Sequence, residues 1–102
     1  MDKVIAGKTI SVNEEGYMTD LSQWNEDIAK EMAKEFEIEL TPKHFSVLAY
    51  LQDQYKNEVP LSIRKVGGSG VVSIKELYEL FPNGPLKIST KLAGIPKPAS
   101  CI

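Results

Sequence analysis

One cysteine, one histidine and one tryptophan are spread over 102 residues, and this scarcity limits the chemistry. A single cysteine closes no internal disulfide, so no oxidising compartment is implied and any redox work needs a partner thiol or a small molecule. One Cys and one His supply too few ligands for the usual zinc sites, and no metal or organic cofactor is expected. No stretch approaches the ~20 apolar residues that a membrane-spanning helix needs. The Met1-Asp2 start has neither the basic nor the apolar region of a signal peptide, so a cytoplasmic protein is expected. A formal net charge of −2 gives no general attraction to nucleic acid. Gly67-Gly68-Ser69-Gly70 lacks the Gly-Lys-Ser/Thr ending of a phosphate-cradling loop and reads as a flexible connection.

With 42% hydrophobic and 25% charged residues, the chain is composed like one ordinary globular domain with one modest core. Val4-Ile5-Ala6 and Thr9-Ile10-Ser11-Val12 are short β-type runs around Gly7-Lys8, which predicts a small hairpin that must lie on helices. A polar turn follows at Asn13-Glu14-Glu15-Gly16-Tyr17. Trp24 reads as a core anchor, because large aromatics dominate burial in so small a domain.

Asn25-Glu26-Asp27 starts a helix, with Ile28, Ala29, Met32, Ala33 and Phe36 as its apolar stripe and Lys30, Glu31, Lys34 and Glu35 opposite. Thr41-Pro42 opens a second helix running to about Asn57, with Phe45, Leu48, Ala49, Leu51, Gln52 and Tyr55 on its buried side. His44, in its first turn, reads as a capping or surface residue. Leu61 to Val66 predicts a short helix. Ser73-Ile74-Lys75-Glu76 is a capping box ahead of an inward face of Ile74, Leu77, Tyr78 and Phe81. Pro85 begins the last helix, with Leu86, Ile88, Leu92 and Ala93 apolar, and Gly94 stands at its C-terminal cap. The expected fold is α+β and mainly α: a small N-terminal hairpin packed on about five helices, with a helix-turn-helix-like region.

The division that follows is a single domain over residues 1–94 and a flexible arm over 95–102. Prolines 96 and 98 bar both helix and sheet and push their neighbours toward extended geometry. At about 3.1 Å per residue, the arm could hold the thiol of Cys101 roughly 20 Å from the body. Cysteines near chain ends are often products of drift; the residues around this one give it a role.

Leu77-Tyr78-Glu79-Leu80-Phe81-Pro82-Asn83-Gly84-Pro85, then Lys91-Leu92-Ala93-Gly94-Ile95-Pro96-Lys97-Pro98 and the ending Cys101-Ile102, resemble the DsrC/TusE family of small sulfur-carrier proteins. Glu14-Glu15-Gly16-Tyr17, Trp24 and the Leu40-Thr41-Pro42 helix start fit the same family. The resemblance implies a mobile C-terminal arm whose cysteine, here Cys101, accepts and delivers sulfur as a persulfide. In one branch that cysteine enters the channel of a dissimilatory sulfite reductase. In the other it takes sulfur from a relay complex and passes it on for 2-thiolation of transfer RNA. The implied partners are therefore a sulfur-relay donor complex and a downstream thiolase or sulfite reductase, with nucleic acid involved only through the thiolated transfer RNA.

Members serving sulfite reductase carry a second cysteine eleven residues upstream of the terminal one; that position here is Thr90. The resemblance thus falls closer to the single-cysteine, relay-type branch. The segment from Lys65 to Ile74 is also shorter than in either branch, which bears on partner docking. At most a sulfurtransferase-type carrier without independent turnover is implied. The carboxylate of Ile102 should raise the Cys101 thiol pKa, leaving the empty arm mild; a persulfide is more acidic and hence more nucleophilic. Lys91 and Lys97 are placed to offset that carboxylate. A different class, a DNA-binding regulator using the region from Leu61 to Phe81, would rest on Arg64, Lys65 and Lys75 against Glu76 and Glu79, a thin basic footprint.

Overall fold

The computed structural model describes residues 2–82 and 84–96. Strands β1 (Asp2–Ile5) and β2 (Lys8–Ser11) form an antiparallel hairpin with Asp2 opposite Ser11 and Ile5 opposite Lys8. Its turn is Ala6-Gly7, both at positive φ, one residue earlier than the sequence suggests. Paired positive φ values match the right-handed twist of the strands. Ile5 and Ile10 point from the hairpin into the core, and Lys3 ties it to Glu35 at 2.6 Å.

Among the described residues, five helices follow: α1 (Glu26–Lys34), α2 (Pro42–Lys56), α3 (Ile63–Gly67), α4 (Ile74–Leu80) and α5 (Pro85–Leu92). Their starts are where the capping residues put them. The Asn25 side chain accepts from Ile28 N, Thr41 caps α2 with Pro42 in the first turn, and Ser73 and Glu76 complete the capping box of α4. None of the helices is long and apolar enough to cross a membrane.

Helix α5 is the hub. It packs against α1, α2 and α4, and Pro85, Leu86, Ile88, Ser89, Thr90 and Leu92 are all buried. Buried on nearly every side, it cannot shift without disturbing the core, so anything attached to its end inherits a rigid base.

Several side chains fall on the other side from the sequence expectation. The stripe of α2 is His44, Val47, Leu48 and Leu51, a run at three- and four-residue steps that turns Ala49 and Tyr55 outward. On α4 only Leu77 is enclosed, with Phe81 at its C-terminal cap, while Ile74 and Tyr78 stand 44% and 51% exposed. A helix of seven residues buries one narrow side, and the other is left to solvent. Tyr17, expected in a polar turn, is fully buried, as is Met18. Asn13 makes this possible: its side chain accepts from the backbone of Glu15 and Tyr17, holding the turn so that the ring points inward.

The glycine-rich connection is tied down. Ser69 donates to Val66 O at 2.6 Å and accepts from Val71 N. A Cβ on Gly67 would lie 2.2 Å from Ile74 Cγ1, so glycine here lets the end of α3 lie directly on the start of α4.

Candidate functional site

The persulfide residue expected from sequence, Cys101, lies outside the described residues, as do Lys97 and Ile102. The described residues end at Pro96, and what they show near it is the end of α5, the root from which the last residues continue. Helix α5 ends in a Schellman turn. Gly94 takes φ +75°, its N–H donates to Lys91 O, and Ile95 N–H donates to Thr90 O, both at 3.3 Å. This pairing satisfies two of the carbonyls that a helix end leaves without partners.

The next two carbonyls are taken by distant side chains. Trp24 Nε1 donates to Leu92 O at 2.7 Å, and Gln52 Nε2 donates to Ala93 O at 2.8 Å. Gly94 packs closely against Trp24: a Cβ there would come within 2.8 Å of Trp24 Cδ1 and 3.0 Å of its Cβ and Cγ. Ile95 is 1% exposed and belongs to the core, while Pro96 is exposed. The sequence division starts the arm at Ile95, yet that side chain is an anchor, stabilising the root by about 1.5–3 kcal/mol through burial.

Thr90, the position of the second cysteine in the two-cysteine branch, is fully buried. Its hydroxyl donates to Leu86 O at 2.7 Å and its carbonyl accepts from Ile95. A hydroxyl satisfied inside its own helix performs no sulfur chemistry. Its role is packing at the root.

Lys91, placed by sequence to offset the terminal carboxylate, is engaged elsewhere. Its Nζ sits 5.1 Å above the Tyr17 ring centroid and 5.6 Å above that of Phe36. Burial, and then the nearby charge of Lys87, hold its pKa below the ordinary lysine value; the two ring faces replace part of the hydration it gives up.

His44 is structural. Its Nδ1 accepts from Thr41 N at 3.1 Å and lies 2.8 Å from Thr41 Oγ1, completing a capping box. Nε2 is 2.9 Å from Leu80 O, so the neutral tautomer with its proton on Nε2 satisfies both contacts. The ring also meets Phe81 edge-on at 5.1 Å. On α3 and α4 the exposed bases Arg64, Lys65 and Lys75 are accompanied by the exposed acids Glu76 and Glu79, and Lys43 lies 3.9 Å from Glu76. This mixed surface offers no basic stripe of the sort that tracks a phosphate backbone. Among the described residues no group of His, Cys, Asp and Glu could hold a metal ion.

Sequence reading missed the two side-chain donors at the root. Trp24 was expected to anchor the core by its ring, and Gln52 to lie on the apolar side of α2. A glutamine among apolar positions was the available signal, since a half-buried amide has to find a partner.

The family described as DsrC like protein matches residues 4–102. The chain is similar to the sulfurtransferase TusE of Photorhabdus laumondii, with 38% identity over 97% of this chain and 96% of that one. It is also similar to the sulfurtransferase TusE of Escherichia coli K12, with 35% identity over 97% and 98%. The solution structure of Allochromatium vinosum DsrC superposes over all of both chains with a TM-score of 0.82 and 35% identity. The oxidised gamma-subunit of the dissimilatory sulfite reductase (DsrC) from Archaeoglobus fulgidus does so with a TM-score of 0.78 and 31% identity.

Proposed function

The chain belongs to the DsrC-like family, and from that premise we propose that it is a sulfur carrier in which Cys101 accepts and delivers sulfur as a persulfide. What carries this reading is full-length likeness to proteins named sulfurtransferases in a sequence with a single cysteine. The step needs no cofactor. The Cys101 thiolate attacks the outer sulfur of a donor persulfide, a new sulfur–sulfur bond forms on Cys101, and the donor leaves as its thiolate. Electrons and atoms balance without an external oxidant. Delivery is the same displacement in reverse order, with Cys101 as the leaving group.

The donor is a protein of a sulfur relay, and the acceptor is a thiolase acting toward 2-thiouridine in transfer RNA. The partner's pocket supplies specificity by receiving Ile102 and the prolines, in the manner of chain-terminus capture. The body ends at Pro96 and the carrier arm begins there.

The names of the solved relatives favour a second reading, a gamma subunit of dissimilatory sulfite reductase. Thr90 weighs against it, because a lone cysteine cannot cycle through an internal disulfide. The two are separated by charging the protein with a persulfide donor and following the label. Sulfur gained at Cys101 and passed to a thiolase supports the relay, whereas co-purification with a sirohaem enzyme supports the reductase role. Failure to pass sulfur to any protein thiol would remove both.

A further inference from the structure

The end of α5 is buried at Leu92, Ala93 and Ile95, so its last carbonyls need partners from the protein. Exposed helix termini ordinarily leave their last carbonyls to water. Here all four carbonyls from Thr90 to Ala93 are engaged. Two are held by the chain's own turn, and two by Trp24 and Gln52, 68 and 41 residues away in sequence. Trp24 precedes α1 and Gln52 lies on α2, so the root is held from two separate parts of the fold. The indole also lies against Gly94, where a Cβ would meet it at 2.8 Å. Leu92 O and Ala93 O are successive carbonyls, and fixing both sets the orientation of the peptide planes just before the chain leaves.

We propose that Trp24 and Gln52 are positioning residues for sulfur delivery: by holding Leu92 O and Ala93 O they fix the direction in which the chain leaves the body at Pro96. The inference rests on the carrier reading above. Its weight comes from leverage. The five steps from Pro96 to Cys101 span at most about 17 Å, so a turn of about 20° at the root can shift the reach of the sulfur by up to about 6 Å. Misplacement by 1 Å can cost about a hundredfold in a reaction that depends on alignment. A wider cone also lowers the effective concentration of the sulfur at a docked partner's pocket.

The two donors can be removed while most of the packing stays. Trp24→Phe keeps a ring against Gly94 and loses the N–H; Gln52→Met keeps the length and loses the amide. Nitroxide labels on Cys101 and on a second cysteine at the exposed Ser46 of α2 report the spread of arm directions as a distance distribution. The expected result is a distribution broadened about twofold in the double variant and less in each single one, because an untethered root widens the cone. A purely structural role would lower the melting temperature and leave the width for the folded population unchanged. Should Trp24→Phe fail to fold, Gln52→Met alone decides the matter. Equal widths in wild type and folded variants would overturn the inference while leaving the carrier reading intact. Charging of unlabelled wild type and variants with sodium polysulfide is the control. Equal gain of sulfur in all supports a role in direction rather than reactivity, and no gain in any overturns the carrier reading itself.

Discussion

Gly94 carries two constraints at one position. Its φ of +75° is costly for a side chain, and the space a Cβ would fill is occupied by Trp24. Either alone would favour glycine; together they make Gly94→Ala expensive, by about 2–3 kcal/mol in urea unfolding, since neither strain nor clash can be relieved without loosening the root. An effect below about 0.5 kcal/mol would mean that the indole is not held there. The residue was legible from sequence only as a helix cap, because the second constraint comes from a tryptophan 70 positions away. Thr90 shows the same limit. Its identity told of a missing thiol, whereas its burial and its bond to Leu86 O follow from the packing of α5.

At the scale of elements, three helices end alike. Glu37, Glu58 and Gly94 all take positive φ. In the first two turns Ile38 N and Val59 N bond to Ala33 O and Gln54 O, as Ile95 N does to Thr90 O in the third. Helix starts were readable because the capping side chains Asn25, Thr41 and Ser73 are chemically marked. The end of α2 near Asn57 was readable too, but the left-handed turns at Glu37 and Glu58 were not, because glutamate carries no mark of that conformation. Glu58→Gly should therefore stabilise the protein by about 0.5–1 kcal/mol, relief of backbone strain outweighing the added freedom of the unfolded chain; a lower urea midpoint would contradict this.

The cap of α4 makes a pH-dependent contribution. Hydrogen bonds from the Ser73 backbone and side chain, then the charge of Lys43, hold the pKa of Glu76 below its ordinary value of 4.5. A carboxylate with a depressed folded pKa contributes stability that is fully present above 4.5 and is lost as pH falls through the folded value. Glu76→Gln retains a partner for the Ser73 N–H and has no proton to take up. The melting temperatures of wild type and this variant should therefore converge, or cross in favour of the variant, as pH falls from 6 to 3. A constant difference across that range would contradict the assignment.

For the whole molecule, the proposed division of labour is between a body whose central helix is buried and a terminal segment to which the carrier reading assigns the chemistry. The class of fold, the hairpin and the order of the helices were legible in the sequence, because period, caps and prolines are local signals. The exposed Ile74 and Tyr78 and the buried Tyr17 were not, because which side of a short element faces the core depends on neighbours far along the chain. Cys101 is an expectation of the sequence that lies outside the described residues, whereas the bonds of Trp24 and Gln52 to the end of α5 join residues too far apart in the chain to be read from it. If the arm is functionally separate, a chain ending at Pro96 should unfold within about 0.5 kcal/mol of the full chain, since it keeps the buried Ile95 and the whole root. A large loss would mean that residues beyond Pro96 hold the fold together.

The most direct test is intact-mass measurement after charging with sodium polysulfide, with the wild type compared with Cys101→Ser. The wild type should gain the mass of one or more sulfur atoms, released again by a thiol reductant, and the variant should gain none. Equal gain in both, or none in the wild type, would contradict the claim that this chain carries sulfur on Cys101.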